Sequence, residues 1–375
     1  MKIISAFLIF TFCIFPFNNI YCNATVSAQS AIVIEKSSGR ILYEKNAGTK
    51  LPMASTTKIM TALVAIENGN MDDVVTISSS AAGTEGSSMY LESGEKMTLL
   101  ELLYGLMLSS GNDAAVAIAE HFGGINNFVT LMNDKAKELG ASQTNFTNPN
   151  GLPDSSHYST ALDMAKITAF ALNNQTFAEI VSTKTYKISG EGKAYSRTLS
   201  NHNKLLNMYQ GCIGVKTGFT KAAGRCLVSA AEQNSMTLIC VTLNAPDDWR
   251  DHSNLYDNLF SKYSICHILH SGVPIDSIQV ESSTFDSLPV TPREDFSYPL
   301  TKDEECSTAL TLSSPLTAPV DDLTECGSVI ISLNGKEIKK IPLVTIGNAP
   351  QKTIFSDENS FLNKILSFFA KLLPL

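Results

Sequence analysis

The chain has 375 residues, 44% of them hydrophobic and 17% charged, the make-up of a globular protein rather than a disordered one. Its 28 Lys and Arg against 36 Asp and Glu leave a formal net charge of -8, with no basic block to serve as a nucleic-acid footprint. The length accommodates two domains of ordinary size without disulfide staples.

At the N-terminus, Lys2 precedes the apolar run IISAFLIFTFCIFPF, too short to span a bilayer and suited to the core of an export signal. Val26-Ser27-Ala28 supplies small residues for signal peptidase, so residues 1–28 are expected to be a signal peptide, with a retained membrane anchor as the alternative. Of eight cysteines, Cys13 and Cys22 fall in this segment. The others, Cys212, Cys226, Cys240, Cys266, Cys306 and Cys326, are too widely spaced for a disulfide framework, and none forms a C-x-x-C zinc pair. Cys306 and Cys326 are a candidate pair in an oxidising compartment; most of the rest suit buried, apolar positions.

SAIVIEKSSGRILYEKN alternates apolar and polar residues about Ser37-Ser38-Gly39 and predicts a hairpin. Residues 55–67 follow as a helix with a hydroxyl-rich start, and Thr98 with Glu101 forms a capping box opening a second helix. DAAVAIAEHF and INNFVTLMNDKAKELG are two more helices, the second ended by Gly140. From Cys212 strands return, in two runs about Gln233-Asn234, and NLYDNLFSKYSICHIL is expected to be a helix. After residue 270 the chain becomes rich in Ser, Thr and Val, with an Asn334-Gly335 hairpin turn, and predicts a small all-β domain over 271–352. Residues 357–375 place Phe361, Leu362, Ile365, Phe368, Phe369 and Leu372 on a wide apolar face, suiting a helix that lies in a membrane surface or docks on the β-domain.

Three short motifs carry chemistry. Ser55 precedes Lys58 by three residues at a helix start, which puts hydroxyl and amine on one face, a turn apart. A lysine acts as a base only when neutral, so its pKa must fall by roughly three units, about 4 kcal/mol, through burial, a second cation or the helix N-terminus. Ser93 and Lys96 share this spacing but precede the Thr98 cap, where the shared-face argument fails. Ser110-Gly111-Asn112 lies between two helices, where a hydroxyl and an amide can enter a cleft, although Ser332-Leu333-Asn334 repeats its spacing elsewhere. Lys216-Thr217-Gly218, on an expected strand, offers a cation, a hydroxyl and close backbone approach.

In the order S-x-x-K, S-x-N, K-T-G, the three form the established signature of class A β-lactamases and penicillin-binding proteins. The chain resembles the serine D-Ala-D-Ala carboxypeptidases, the low-molecular-weight penicillin-binding proteins. NPNGLPDSSHYSTALDMA and NAPDDWRDHSNLYDNLF also look like that family, and Leu162, where relatives often carry Arg, departs from it. The resemblance implies an α/β (α+β) catalytic domain over 29–270, a penicillin-recognising, transpeptidase-like fold with an antiparallel sheet flanked by helices and a helical insert. It implies that Ser55 is the nucleophile, Lys58 its base and Ser110 a proton relay. Asn112, Lys216, Thr217, Gly218 and the backbone of Phe219 would bind substrate. The substrates would be peptidoglycan stem peptides, with β-lactams as inhibitors and no metal or cofactor, at the outer face of the bacterial cell membrane and the cell wall.

Other functions fit less well. A class A β-lactamase needs a Glu with Asn four residues on between the second and third motifs; Glu120, Glu138, Glu179 and Glu191 are followed there by Gly124, Ser142, Thr183 and Tyr195. A non-catalytic peptidoglycan-binding protein would not need all three motifs intact. Cys266, His267 and His270 are too few for a metal hydrolase that lacks H-E-x-x-H. Asp247–His252 is expected to be a solvated turn, with Arg250 available to a substrate carboxylate, while His157 and Asp163 position loops.

Overall fold

The structure, a computed structural model, describes residues 26–190, 195–313, 315–352 and 364. The apolar leader run and, apart from Lys364, the 357–375 segment lie outside the described residues. The chain opens with strands β1 (Ser30–Glu35) and β2 (Ile41–Lys45), an antiparallel hairpin. Glu35 secures its turn by accepting the N–H groups of Ser37 and Ser38 and the Ser38 hydroxyl. Gly39 takes a left-handed φ of 68° there.

A helical block follows: α1 (Lys58–Asn68), α2 (Leu99–Leu108), α3 (Asn112–His121), α4 (Ile125–Glu138) and α5 (Ala161–Ala171). The capping box of α2 has both of its bonds, and Gly140 follows α4 with φ 66°. Strands β3 (Cys212–Thr220), β4 (Gly224–Gln233) and β5 (Met236–Leu243) then complete a five-stranded antiparallel sheet in the order β2-β1-β5-β4-β3.

The sheet is covered on both faces, which explains why β1 is buried at every position. Ile32 and Ile34 join the large core with α1, α2 and α3, while Ala31 and Val33 face Leu255, Tyr256 and Leu259 of α6 (Asp248–Lys262). Helix α6 ends earlier than expected. Ser264–Leu269, assigned to that helix from its apolar pattern, is strand β6, because the run ICHIL is short and lies along β9 (Phe296–Leu300). The segment expected to be a solvated turn is the first turn of α6, with Asp248, Asp251 and His252 buried.

The second unit has its own core of Val290, Val329, Ile331, Ile341 and Leu343 among others. Between β6 and β9 run β7 (Asp276–Glu281) and β8 (Ser287–Pro292), followed after β9 by β10 (Cys306–Leu312), β11 (Leu316–Thr317), β12 (Glu325–Leu333) and β13 (Lys336–Thr345). Six of these form a sheet ordered β10-β12-β13-β8-β7-β11. Asn334 and Gly335, both at positive φ, turn β12 into β13. The ladder rules out the candidate Cys306–Cys326 pair. Cys306 stands opposite Leu333 and Leu312 opposite Gly327, so the two cysteines lie at opposite ends of the strand pair, roughly 20 Å apart at about 3.3 Å per residue and far beyond bonding reach.

Arg40, at the hairpin turn, joins the two units. It forks onto Glu304, donates to the Pro299 carbonyl and sits 5.2 Å from the ring centres of both Tyr263 and Tyr298.

Candidate active site

Residues 54–57 do not begin the α-helix expected from residue 55. They form a 3-10 turn, Ala54–Thr57, that runs into α1 at Lys58. The hydroxyls explain it: Thr56 Oγ1 donates to Met53 O at 2.7 Å and Thr57 Oγ1 to Ala54 O at 2.8 Å, competing with the helical pattern. Ala54 holds φ 48°, unusual for a residue with a Cβ. His157 buttresses the turn through Nε2, 2.8 Å from Thr57 Oγ1, while its Nδ1 accepts the Thr147 N–H. Burial pushes the His157 pKa down to about 4, so the ring is a neutral strut. Asp163 likewise holds a loop, accepting from Gln143 N and Thr144 Oγ1.

The three motifs converge. Lys58 is fully buried, and its Nζ has three polar neighbours: Ser55 Oγ at 3.0 Å, Asn112 Oδ1 at 2.7 Å and Asn150 O at 2.7 Å. The last two are carbonyl oxygens, which only accept. A neutral amine has two N–H groups; these two acceptors take both, and the lone pair is left for the Ser55 hydroxyl. The electrostatics agree. Burial first, and then the charge of Lys216, hold the Lys58 pKa well below its usual range, against a smaller opposing pull from Asp113. Asp113 is in turn saturated by Ser88 Oγ and by the N–H groups of Met89, Leu91 and Ala114.

Ser110 sits in the break between α2 and α3 at φ 59°, a left-handed conformation that lets its side chain line the cleft. Asn112 was expected to serve the substrate. Here its carbonyl oxygen holds Lys58, and its Nδ2 donates to Glu85 O at 2.6 Å. Lys216 is buried on β3, donates to Thr217 O at 3.0 Å, and has its pKa lowered by burial to about 7. A Cβ on Gly218 would stand 3.0 Å from Ser55 N and 3.1 Å from Met53 O and Thr56 N, so glycine lets β3 lie against the turn that carries Ser55.

Ser55, Ser110, Thr217, Gly218 and Phe219 line one cleft of about 280 Å³, with Ser87, His202, Arg225, Asp248 and Trp249. A larger hollow of about 620 Å³ on the β-domain, lined by Thr311, Ser313, Glu325, Ser328 and Lys340 among others, contains no residue of the three motifs. The Ser93–Lys96 spacing is outside the cleft, and Glu95 beside it serves a buried ion pair with Arg197 at 2.7 Å. Arg250 also stays out: its side chain is 74% exposed and 3.6 Å from Asp247. His267 packs on His270 at 5.8 Å with Ser297 on its Nδ1, and no group of three or more metal-ligating residues occurs among the described residues.

Sequence reasoning missed the Asn150 carbonyl, His202, Arg225 and the Asp248–Trp249 pair. A backbone carbonyl leaves no residue signature. Arg225 had one, since it sits just beyond the turn that follows K-T-G.

A family model described as D-alanyl-D-alanine carboxypeptidase matches residues 18–247, and one described as penicillin-binding protein 5, C-terminal domain, matches residues 263–350. D-alanyl-D-alanine carboxypeptidase DacF of Bacillus subtilis is 34% identical, over 84% of each chain. DacA of Escherichia coli, another D-alanyl-D-alanine carboxypeptidase, is 31% identical over 92% of this chain and 87% of its own. Among solved structures, penicillin binding protein 5 from Haemophilus influenzae superposes with a TM-score of 0.75 at 30% identity, covering 87% of this chain and 98% of that one.

Proposed function

The chain belongs to the D-alanyl-D-alanine carboxypeptidase family, a serine peptidase of the cell wall, and on that premise we propose a role for each residue of the cleft. Ser55 Oγ attacks the carbonyl between the last two D-alanines of a peptidoglycan stem peptide while Lys58 Nζ takes its proton. The N–H groups of Ser55 and Phe219 hold the oxyanion as it forms. The C–N bond then breaks, Ser110 passes a proton to the departing amine, and D-alanine leaves an ester on Ser55. Water hydrolyses that ester, and the serine regains its proton. Asn112 orients Lys58 and has a second N–H for the substrate amide; Lys216 and Thr217 receive the terminal carboxylate. β-Lactams enter the same cleft and acylate Ser55.

The observation that carries this reading is the 3.0 Å approach of Lys58 Nζ to Ser55 Oγ with both amine hydrogens committed elsewhere. The test is release of D-alanine from a defined pentapeptide, with and without penicillin, by the intact enzyme and by Ser55→Ala. A Ser55→Ala protein that released D-alanine at the parental rate would overturn it, as would the lack of a penicillin adduct on Ser55.

The same proposal places the enzyme outside the cytoplasmic membrane, on the strength of the leader-like segment 1–28 and the amphipathic segment 357–375. No helix among the described residues is long and apolar enough to cross a membrane.

A further inference from the structure

With the terminal carboxylate at Lys216 and Thr217 and a substrate amide on Asn112, the chain ahead of the attacked bond leaves the cleft past Asn112. There it meets residues 85–91, which precede α2. Asn112 donates from Nδ2 to Glu85 O at 2.6 Å and from its backbone N–H to Ser87 O at 2.7 Å, and Ser87 lines the cleft. Glu85 is thus linked to Ser55 Oγ through two side chains only, those of Asn112 and Lys58. Tyr90 stands three residues beyond Ser87, within about 11 Å of it at 3.3–3.6 Å per residue.

Tyr90 has an unusual setting. It holds φ 62°, a left-handed conformation that is an outlier for a bulky side chain, and it is 73% exposed. Buried groups pin the backbone around it from two sides. Asp113 accepts the N–H groups of Met89 and Leu91 at 3.1 Å. Ser88 Oγ donates to Asp113 at 2.6 Å and accepts the Tyr90 N–H at 2.7 Å. On the other side Arg197 donates to Met89 O at 3.0 Å and to Tyr90 O at 2.7 Å, while forking onto Glu95. The Tyr195 hydroxyl also donates to Tyr90 O, and its ring centre lies 4.1 Å from Arg197 Cζ. Met89 and Leu91 are buried, so the clamp holds one aromatic out in water between two core residues. Neither the exposure nor the left-handed backbone helps the core, and both point to a use for the ring outside the folded chain.

A tyrosine face attracts an ammonium through its quadrupole and packs on the methylenes behind it. Glu85, also exposed, adds a negative charge to the same rim, and no ion pair with it occurs among the described residues. The residue ahead of the attacked D-alanine lies one Cα step back, about 3.8 Å, and a side chain of lysine length spans the rest of the way to this rim.

We propose that Tyr90, with Glu85, binds a basic side chain on the residue that precedes the two D-alanines, so that the enzyme prefers stem peptides with an amine there. The assignment rests on the D-alanyl-D-alanine carboxypeptidase reading and extends the site beyond the three motifs, on the acyl side of the bond that breaks.

The test measures D-alanine release by the full-length enzyme from Nα-acetyl-Lys-D-Ala-D-Ala and from the same peptide acetylated at its side-chain amine. One cation–π contact and one exposed charge pair predict that the intact enzyme favours the free amine by about 3- to 20-fold in kcat/KM, mainly through KM. Tyr90→Ala lowers that ratio several-fold, Tyr90→Ala with Glu85→Gln abolishes it, and Tyr90→Phe, which keeps the ring, retains it. The ratio is taken within one preparation, so a partly misfolded variant does not alter it. An intact enzyme that treated the two peptides alike, or a Tyr90→Ala enzyme that kept the parental ratio, would overturn this proposal alone. An intact enzyme that released D-alanine from neither peptide would overturn the activity and this assignment together.

Discussion

Lys58 Nζ stands 3.0 Å from Ser55 Oγ although the lysine is completely buried, so the amine reaches the hydroxyl from a position shielded from water. A charged ammonium would be heavily penalised there. Burial first and then the charge of Lys216 push the Lys58 pKa well down, which favours the neutral amine that the proposed base requires.

Asn112→Asp tests how that neutrality is maintained. Asn112 Oδ1 lies 2.7 Å from Nζ, and a carboxylate there would stabilise the ammonium form. An opposite charge at this range raises the Lys58 pKa by about 1–3 units. Since Lys58 works only unprotonated, the acid limb of the kcat/KM profile for D-alanine release is expected to move to higher pH by a similar amount. An unmoved limb would mean that Lys58 is not the base.

The buried lysines also work against stability. Unfolded Lys216 keeps its proton up to the ordinary 10.5, while the folded protein releases it at about 7. Between these values the unfolded chain binds more protons, so stability rises with pH across that window; below about 7 the penalty is complete, on the order of 5 kcal/mol. Lys216→Met is therefore expected to lose activity yet melt at a higher temperature near pH 6, with the gain shrinking toward pH 10. Calorimetry at the two pH values checks it, and a variant that melted lower at pH 6 would contradict it.

Penicillin should trap the enzyme. Ring opening of a β-lactam leaves its amine tethered to the acyl group, so nothing departs as D-alanine does, and the retained group stays in the cleft between the Ser55 ester and incoming water. Intact-protein mass spectrometry is expected to show a Ser55 adduct that outlasts many turnovers of peptide. Clearance within seconds would indicate a β-lactamase.

Gly218→Ala probes the contact between β3 and the turn that carries Ser55. Its Cβ would meet backbone atoms of Ser55, Met53 and Thr56 at 3.0–3.1 Å, and backbone cannot yield as a side chain does. A loss of about 1–3 kcal/mol in stability and a larger loss in Ser55 acylation by penicillin are expected. Unchanged acylation would show that the turn tolerates displacement.

How far the sequence disclosed all this differs by residue. Ser55, Lys58, Ser110, Asn112 and Lys216 were legible because each motif is local and its spacing survives in the chain. Their support was not: the Asn150 carbonyl comes from a loop far along the chain, and only folding brings it to Lys58. The strand at Ser264–Leu269 was taken for helix because six apolar-rich residues fit either period, and its pairing with Phe296–Leu300 is a long-range decision. The first turn of α6 looked like a solvated turn because its acidic residues suggested water, whereas Asp248 and Asp251 are buried on Arg225 and Ser27.

That last contact bears on where the chain would be cleaved if it is exported as proposed. Val26-Ser27-Ala28 fits signal peptidase in sequence, yet these residues belong to the folded domain. Ser27 gives its N–H to both oxygens of Asp251, at 3.0 and 2.9 Å, and its hydroxyl to Oδ2 at 2.7 Å. Val26 and Ala28 are buried with Leu255 and Leu259, and Lys45 Nζ donates to Val26 O. Cleavage after Ala28 would strip Asp251, 4% exposed, of these partners, a loss of about 1–3 kcal/mol for a buried group left unsatisfied. We therefore expect the mature N-terminus to lie before Val26. N-terminal sequencing of the secreted protein checks this, and a chain beginning at Gln29 would refute it. A protein made from Gln29 onward should melt several degrees below one made from Val26, and the difference should shrink, to the share owed to Val26, Ala28 and the Lys45 bond, when Asp251→Asn removes the buried charge that Ser27 satisfies.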